Sequence, residues 1–257
     1  MIERLANAGW HLLPEVELGP AEHVALDEVL LAAVAERRRP PTLRFWAWAS
    51  PAVILGRFQS LRNEVDLDAV AQLGVAVVRR ASGGGAMFVQ PGATITYSLY
   101  LPEDLTHGVS IRDSYEMLDR WAVEVFREIG VNAWYQPLND ITSPEGKIGG
   151  AAQVRRPGVV LHHTTIAYEM NPDDMLRVLR IGREKLSDKG IPSAAKRVSP
   201  LRRQTDLARE AIVERLVAGF ERRFGLTRDE LTAHDLAAAR ALVESKYGRD
   251  EWTSDLP

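Results

Sequence analysis

No cysteine occurs among the 257 residues of this chain. Its absence excludes disulfide bonds, thiolate metal sites and any reaction that passes through a cysteine-bound acyl intermediate. The sequence also lacks any run close to the roughly 20 apolar residues of a membrane-spanning helix. Its N-terminus has no basic segment followed by an apolar one, so no signal peptide is visible. We therefore expect a cytoplasmic protein with no membrane partner.

A strong excess of one charge is missing as well. The formal net charge is −3, with 46% hydrophobic and 26% charged residues, as in an ordinary globular protein. Without a basic excess, we expect no nucleic-acid partner. The chain also has no zinc-ligand spacing, no Gly-x-Ser-x-Gly turn and no phosphate-binding loop ending in Gly-Lys-Ser/Thr. The enzyme classes that those motifs define are therefore not indicated.

Hydrophobic periodicity predicts an α+β protein with one principal sheet. The predicted helices cover 22–37, 110–129, 173–180, 182–188, 206–223 and 233–246, with a short one after Asn63. The predicted strands cover 42–48, 52–55, 94–101, 131–136, 147–154 and 159–169, the first two forming a hairpin around Ser50-Pro51. Neither an internal repeat nor a low-complexity linker divides the chain.

Three consecutive glycines stand in the segment Arg79-Arg80-Ala81-Ser82-Gly83-Gly84-Gly85-Ala86, directly after a short apolar run. Each glycine costs roughly 0.5–1 kcal/mol relative to alanine in regular structure. A triplet therefore indicates positive φ angles or close approach of a ligand to bare backbone. With two arginines upstream and a serine at its start, we expect a ligand that is elongated, partly apolar and anionic. The alternative is an ordinary glycine-rich hairpin turn.

Three further segments fit poorly with a purely structural role. Gly56-Arg57-Phe58-Gln59 places a cation and an amide after a strand. In the stretch from Asn139-Asp140 to Gly146-Lys147-Ile148-Gly149-Gly150-Ala151, a lysine lies among small residues, where a ligand can approach the backbone. In Leu161-His162-His163, strand alternation sends the two histidines to opposite faces. Each segment alone is a weak signal, since a single lysine is usually a solvated surface residue.

The order and spacing of these segments resemble the catalytic domain of lipoate–protein ligases, in the superfamily shared with octanoyltransferases and biotin–protein ligases. The matching residues are Leu43-Arg44-Phe45, Gly56-Arg57-Phe58-Gln59, Glu64-Val65-Asp66, Arg79 to Ala86, Asn139-Asp140, Gly146-Lys147-Ile148-x-Gly-x-Ala, His163, Lys189-Gly190-Ile191-x-Ser193, Arg197-Val198 and Lys246-Tyr247-x-x-x-Glu251-Trp252. The resemblance implies a mainly antiparallel or mixed central sheet flanked by helices. It also implies one catalytic domain over 1–257, in the short form without a C-terminal accessory domain, with 200–257 as a mostly helical covering segment.

The resemblance implies a two-step reaction that uses ATP and Mg²⁺. Lipoate or octanoate and ATP give an acyl-adenylate and pyrophosphate, and a carrier lysine then attacks the adenylate. Lys147 would act on the carbonyl or α-phosphate oxygens, while Asp140 either holds Mg²⁺ or fixes Lys147. The implied substrate-binding residues are Arg57, Arg80, Ser82, Gly83, Gly84, Gly85, Ala86, Asn139, Gly149, Gly150, Ala151 and His163. A loop over 190–197 would close over the adenylate and exclude water.

The implied acceptors are small lipoyl domains, as in the acyltransferase subunits of 2-oxoacid dehydrogenases and the glycine-cleavage carrier protein. Short forms can depend on a separate small accessory subunit for adenylation. One alternative is therefore a lipoyltransferase that uses preformed lipoyl-adenylate or needs that subunit.

Rival branches of the superfamily fit the sequence less well. Octanoyltransferases transfer through an acyl-thioester on a cysteine, which this chain lacks. The Gly-Arg-Gly-Arg motif of biotin–protein ligases is missing too. Val89-Gln90 stands where the family usually has His-Asp after the glycine loop. A catalytically inactive paralogue that binds the acyl group or adenylate is therefore a further alternative.

Overall fold

The computed structural model describes residues 2–180 and 198–256, so the predicted helix over 182–188 lies outside the described residues. The helices of this part are α1 Ile2–Ala6, α2 Pro20–Ala35, α3 Leu61–Glu64, α4 Leu67–Leu73, α5 Ile111–Glu128, α6 Pro172–Val178, α7 Arg209–Phe224, α8 Ala233–Leu242 and α9 Asp250–Thr253. The strands are β1 His11–Leu13, β2 Glu17–Leu18, β3 Thr42–Trp48, β4 Ala52–Leu55, β5 Ala76–Arg79, β6 Met87–Val89, β7 Thr94–Pro102, β8 Trp134–Gln136, β9 Asp140–Ser143, β10 Gly146–Arg156, β11 Val159–Ala167 and β12 Thr227–Arg228. Two 3₁₀ turns cover Glu103–Thr106 and Leu201–Arg203, and a π-helical turn covers Val243–Tyr247. No helix among these residues has the length and apolar character needed to cross a membrane.

A large mixed sheet organises the fold. Its order is β12-β1-β3-β7-β11-β10-β9-β8, with β2 paired to β3. The strands β12, β1, β2 and β3 pair in parallel, whereas every neighbouring pair from β3 to β8 is antiparallel. This arrangement confirms the predicted α+β class and its mixed central sheet flanked by helices.

A second sheet of three strands, in the order β5-β4-β6, carries the glycine segment. The predicted β3–β4 hairpin is therefore wrong, because β3 joins the large sheet and β4 the small one. All four residues of β4 are buried, and such a strand needs cover on both faces. Since β5 and β6 lie on opposite sides of β4, residues 80–86 cross the end of β4 and do not form a hairpin turn.

Helices cover both faces of the large sheet. On one face α5 and α7 pack together, with the rings of Trp121 and Phe220 meeting edge to face at 5.0 Å between centroids. On the other face α2 lies between the sheet and α8. Helix α2 begins at Pro20, a residue suited to the first helical turn. Apolar side chains fill most of both faces, and buried polar groups lie among them, such as Asp119 of α5 with His162 beneath it, and Arg44 under α2.

We predict that Gly219→Ala destabilises the protein. A Cβ at Gly219 would overlap the Val125 side chain, which α5 presents to α7. The free energy of unfolding should fall by about 1–3 kcal/mol, because overpacking outweighs the gain in helix propensity. Chemical denaturation measures it, with the exposed residue Glu221 changed to Ala as the control. Equal stability of the two variants would contradict the close α5–α7 packing.

Candidate active site

The glycine loop is shaped from below by the buried side chain of Arg80. Its Nε donates to Ser82 Oγ (2.9 Å), Nη1 to the Ile54 carbonyl (3.0 Å), and Nη2 to the carbonyls of Gly83 (2.6 Å) and Gly85 (2.9 Å). Burial lowers the pKa of Arg80 to about 10, so the guanidinium stays charged at neutral pH. Arg80 is predicted to contact an anionic ligand, but its side-chain donors bind the loop itself and the end of β4.

This arrangement leaves the loop amides free. In a trans peptide the C=O of one residue and the N–H of the next point in opposite directions. Because the Gly83 carbonyl faces Arg80, the N–H of Gly84 points away from it. Within residues 2–180 and 198–256, the amides of Gly83, Gly84 and Gly85 donate no hydrogen bond. Successive free N–H groups of this kind form a concavity that binds anions.

Gly84 and Gly56 lie where a side chain would strain the backbone or clash with the loop. Gly84 has φ +86°, and a Cβ there would lie 3.1 Å from Arg80 Nη2. Gly56 lies under the loop, where a Cβ would overlap the Gly84 carbonyl oxygen. At Gly85 a Cβ would meet nothing within 4 Å, so the outer side of the loop is open space. Ala86 then leads the chain into β6.

The segment around Arg57 supports the loop from the other side. The Arg57 N–H donates to the Ser82 carbonyl (2.9 Å). Its guanidinium pairs with Asp255 (2.6 Å) and lies 4.5 Å from the centroid of a Trp252 ring. The predicted ligand-binding side chain of Arg57 is therefore engaged by the C-terminal segment in this structure.

Lys147 and Asp140 form an ion pair at one end of the site. The distance from Lys147 Nζ to Asp140 Oδ1 is 2.8 Å; the lysine side chain is 32% exposed and the aspartate 6%. The β9–β10 register shifts between Lys147 and Gly149, and such a bulge re-aims a side chain. A Cβ at Gly150 would lie 2.8 Å from Lys147 Nζ, so the ammonium rests over bare backbone. Asp140 thus holds a partly exposed cation in place.

Lys147 and the glycine loop lie on the same face of β10. A Cβ at Gly84 would be 3.6 Å from the Cβ of Ala152, and Ala152 is two residues beyond Gly150. Two strand residues span about 7 Å. The loop and the ammonium therefore border one slot.

Other predicted site residues hold the strand without facing this slot. A Cβ at Gly149 would meet the Thr165 carbonyl and the Ile166 side chain, which belongs to the core under α5 and α7. Ala151 alternates to that same face. Asn139 fixes the β9 end, because its Nδ2 donates to the Ala151 carbonyl (2.6 Å) and its own carbonyl accepts from the Ala151 N–H (2.9 Å). Gly149 and Ala151 can meet a ligand only through backbone.

His163 lies at the inner end of the slot, opposite Ala152 in the sheet. Its Nδ1 is 3.0 Å from Asp27 Oδ2 and its Nε2 is 2.7 Å from Ser82 Oγ. Burial lowers the pKa of His163, and the hydrogen bond to Asp27 opposes this only in part, so the imidazole is neutral at pH 7. As predicted from strand alternation, His162 faces the other side, 2.7 Å from Asp119 Oδ1.

Sequence reasoning missed Asp27 and Arg79. Asp27 is a buried acid in α2, but Glu22 and Glu28 lie in the same helix, so no local pattern distinguishes it. Arg79 is fully buried and donates to the carbonyls of Gly56 (3.0 Å) and Gln59 (2.7 Å), and to that of Thr253 (2.8 Å) in the C-terminal segment. It therefore ties the chain end to the floor of the glycine loop.

Two predicted features have a different outcome. The closing loop over 190–197 lies outside the described residues, although Val198 forms a bridge beside Lys147. Val89, expected at the edge of the site, is fully buried in the core beside α2. Gln90 instead accepts a hydrogen bond from the Asn171 N–H (3.0 Å) at the start of α6. The Val89-Gln90 pair thus fastens the small sheet and does not line the slot.

The chain matches the family model of the lipoyl protein ligase A/B catalytic domain over residues 19–221, and it belongs to that family. It is therefore an enzyme of the lipoate ligase and transferase family. It is 32% identical to the octanoyltransferase LipM of Symbiobacterium thermophilum, over 96% of this chain and 98% of that one. It is 31% identical to the octanoyltransferase LipM of Moorella thermoacetica, over 95% of this chain and 97% of that one.

Solved structures of this family share the fold. The bipartite lipoate protein ligase of Thermoplasma acidophilum, studied with its E2 lipoyl domain, is 28% identical, with a TM-score of 0.81 over 98% of each chain. A T. acidophilum protein with bound lipoic acid is 26% identical, with a TM-score of 0.80 over 96% and 99%. Lipoate-protein ligase A bound with ATP is 25% identical, with a TM-score of 0.82 over 97% and 100%.

We predict that Gly56→Ala destabilises the protein whereas Gly83→Ala does not. The new methyl at Gly56 would displace the Gly84 carbonyl, and relaxation around it should lower the free energy of unfolding by about 1–3 kcal/mol. At Gly83 a Cβ makes only ordinary contact with the Phe58 ring (3.7 Å). Its effect should stay within about 0.5 kcal/mol. Thermal unfolding of both variants measures the difference, and identical losses would contradict the described packing.

We predict an acid-side loss of stability that depends on His163. Its pKa in the folded state is below the ordinary value of 6.5, so the unfolded chain binds protons first as the pH falls. The contribution is fully present above pH 6.5 and is lost as the pH falls through the folded-state pKa. His163→Gln should make the free energy of unfolding less dependent on pH in this window. Parallel denaturation curves of wild type and variant would contradict a neutral buried imidazole.

Proposed function

We propose that the protein is an ATP-dependent lipoate–protein ligase with one catalytic domain. It would convert lipoate or octanoate to an acyl-adenylate and transfer the acyl group to a specific lysine of a lipoyl carrier domain. The observation that carries this proposal is one slot bordered by two kinds of binding group, an ammonium and a row of backbone amides. At one end stands the Lys147 ammonium, and along its wall lie the amides of Gly83, Gly84 and Gly85, which donate no hydrogen bond to any residue that the structure describes.

Each element suits a step of that reaction. Negative charge grows on the carbonyl and α-phosphate oxygens in both steps, and a fixed ammonium stabilises it in a partly buried site. The free loop amides suit phosphate oxygens. The apolar side chains Val24, Leu31, Val154 and Leu161 at the inner end suit an acyl chain. The fold shared with a lipoate-protein ligase A structure that holds ATP supports this assignment.

Asp140 is better suited to hold Lys147 than to build a metal site alone. Its Oδ1 lies 2.8 Å from the ammonium. In the described part of the chain no group of three acidic or histidine side chains is placed to hold a metal ion. We therefore propose that Mg²⁺ enters with the ATP phosphates, whose oxygens supply most of its ligands.

Octanoyl transfer without ATP is the second candidate function, and the similarity to the octanoyltransferases LipM of S. thermophilum and M. thermoacetica favours it. A cysteine-bound intermediate is excluded for this chain.

Dependence on an accessory subunit is supported by the bipartite ligase of T. acidophilum, and its E2 lipoyl domain supports a 2-oxoacid dehydrogenase acceptor. The glycine-cleavage carrier protein is the other proposed acceptor. An inactive paralogue would have no use for the Lys147–Asp140 pair.

One assay tests the ligase activity and separates it from a transferase that needs an accessory subunit. A recombinant lipoyl domain is incubated with the protein and either lipoate plus ATP or synthetic lipoyl-adenylate, and its intact mass is measured. The ligase should lipoylate the acceptor in both reactions. Modification with lipoyl-adenylate alone would indicate a transferase that needs an accessory subunit. No modification in either reaction would contradict the proposal and favour either octanoyl transfer without ATP or an inactive paralogue.

We predict that Lys147→Ala lowers the rate of lipoyl transfer from lipoyl-adenylate by about 100-fold or more. The fold should persist, because the ammonium is partly exposed and packs over glycine. Initial rates are measured by acceptor mass, and circular dichroism checks folding. Arg120→Ala, an exposed change on α5, serves as the matched control. A wild-type rate for Lys147→Ala would remove this residue from the mechanism.

A further inference from the structure

Three side chains at the inner end of the slot stand in the order acid, histidine, hydroxyl. Asp27 Oδ2 is 3.0 Å from His163 Nδ1, and His163 Nε2 is 2.7 Å from Ser82 Oγ. All three residues are buried, with exposed fractions of 5%, 6% and 1% in that order. The three residues come from α2, β11 and the glycine loop, so no local sequence motif contains them.

The direction of the hydrogen bonds follows from the chemistry of the groups. An ionised carboxylate only accepts, so His163 carries its proton on Nδ1 and offers a lone pair on Nε2. The Ser82 hydroxyl then donates to Nε2. The Arg80 Nε–H donates to the same oxygen at 2.9 Å. Ser82 Oγ thus has a base to take its proton and a cation to stabilise the resulting alkoxide.

Other polar side chains contact the second carboxylate oxygen of Asp27. Asp27 Oδ1 accepts from the Tyr100 hydroxyl and from Ser98 (3.2 Å), and Arg44 lies 3.5 Å from it. These partners occupy Oδ1 and leave Oδ2 to His163. Within the described chain, Asp27 from α2 and Arg80 from the glycine loop act directly on His163, and Glu28 from α2 and Arg156 from β10 line the same cavity. His162, its neighbour in β11, points to the opposite face.

We propose that Ser82 is an acyl acceptor, with His163 as its general base and Asp27 as a positioning residue. The substrate class is an activated medium-chain acyl donor, such as an acyl thioester or aryl ester. This activity uses no ATP and does not depend on the ligase reaction proposed above. It would allow a chain without cysteine to perform the acyl transfer for which its curated relatives are named.

The two steps balance in atoms and electrons. Ser82 Oγ attacks the acyl carbonyl while its proton passes to His163 Nε2. The carbon–sulfur bond of the thioester then breaks, and His163 returns the proton to the leaving thiolate, which departs as a thiol. In the second step the neutral amine of a carrier lysine attacks the acyl-serine, and the carbon–oxygen bond breaks. Ser82 recovers a proton from the amine through His163, and an amide is released.

The glycine loop supplies what an oxyanion needs. The amide of the residue after a serine nucleophile commonly binds the oxyanion, and here the amides of Gly83, Gly84 and Gly85 are unused within the described chain. The cavity beside Ser82 measures about 10 Å³, room for one water, so an acyl chain must move the loop outward. Open space over Gly85 permits that displacement.

Covalent labelling without ATP tests the proposal. The full-length protein is incubated with p-nitrophenyl octanoate, and separately with a long-chain alkyl fluorophosphonate that forms a stable serine adduct. We expect one octanoyl or phosphonyl group per chain by intact mass, with the modified peptide containing Ser82. Ser82→Ala should reduce both nitrophenolate release and labelling by about 100-fold or more. Ser114→Ala, a buried serine of α5, is the control and should label normally.

Two further variants distinguish chemistry from a structural role. Ser82→Cys should accept the octanoyl group as a thioester that neutral hydroxylamine removes, whereas the wild-type oxyester should resist it. Asp27→Asn removes a charge that raises the pKa of His163, so the pH midpoint of acylation should move down. No adduct and no Ser82-dependent nitrophenolate release would overturn the proposal. Labelling at another residue, or equal labelling of Ser82→Ala, would overturn it as well.

Discussion

The site depends on one buried cation. Arg80 draws the carbonyls of Gly83 and Gly85 inward and thereby turns the intervening amide outward. The same guanidinium donates to Ser82 and so connects the loop to His163 and Asp27. Removing this charge would free the loop carbonyls and close the anion-binding concavity. Arg79, one residue earlier, anchors the C-terminal segment to the same floor.

Sequence alone predicts the segments that meet in the site, because each departs locally from what a core or a surface requires. A glycine triplet and a lysine among small residues have no use in a packed interior. Strand alternation also places His162 and His163 on opposite faces. The class of the fold follows from hydrophobic periodicity. The sequence also indicates that Asp140 could fix Lys147, and the two residues meet because β9 and β10 are neighbouring strands.

Other features depend on long-range packing that no local pattern encodes. A short apolar run does not indicate which sheet it joins, so the sequence predicts a hairpin of β3 and β4 that the structure does not contain. Arg80 and Arg57 read as cations for a ligand, yet one is buried under the loop and the other pairs with Asp255. Asp27 lies 55 positions before Ser82 and 136 before His163, a separation that hides their contact.

Binding of the ligand by the amides of the glycine loop can be tested directly. Their NMR signals can be followed in uniformly ¹⁵N-labelled protein as a non-hydrolysable sulfamoyl analogue of lipoyl-adenylate is added. We expect the amide resonances of Gly83, Gly84 and Gly85 to shift and their hydrogen exchange to slow on binding. Saturable binding of the analogue that leaves these three amides unshifted and unprotected would contradict this expectation.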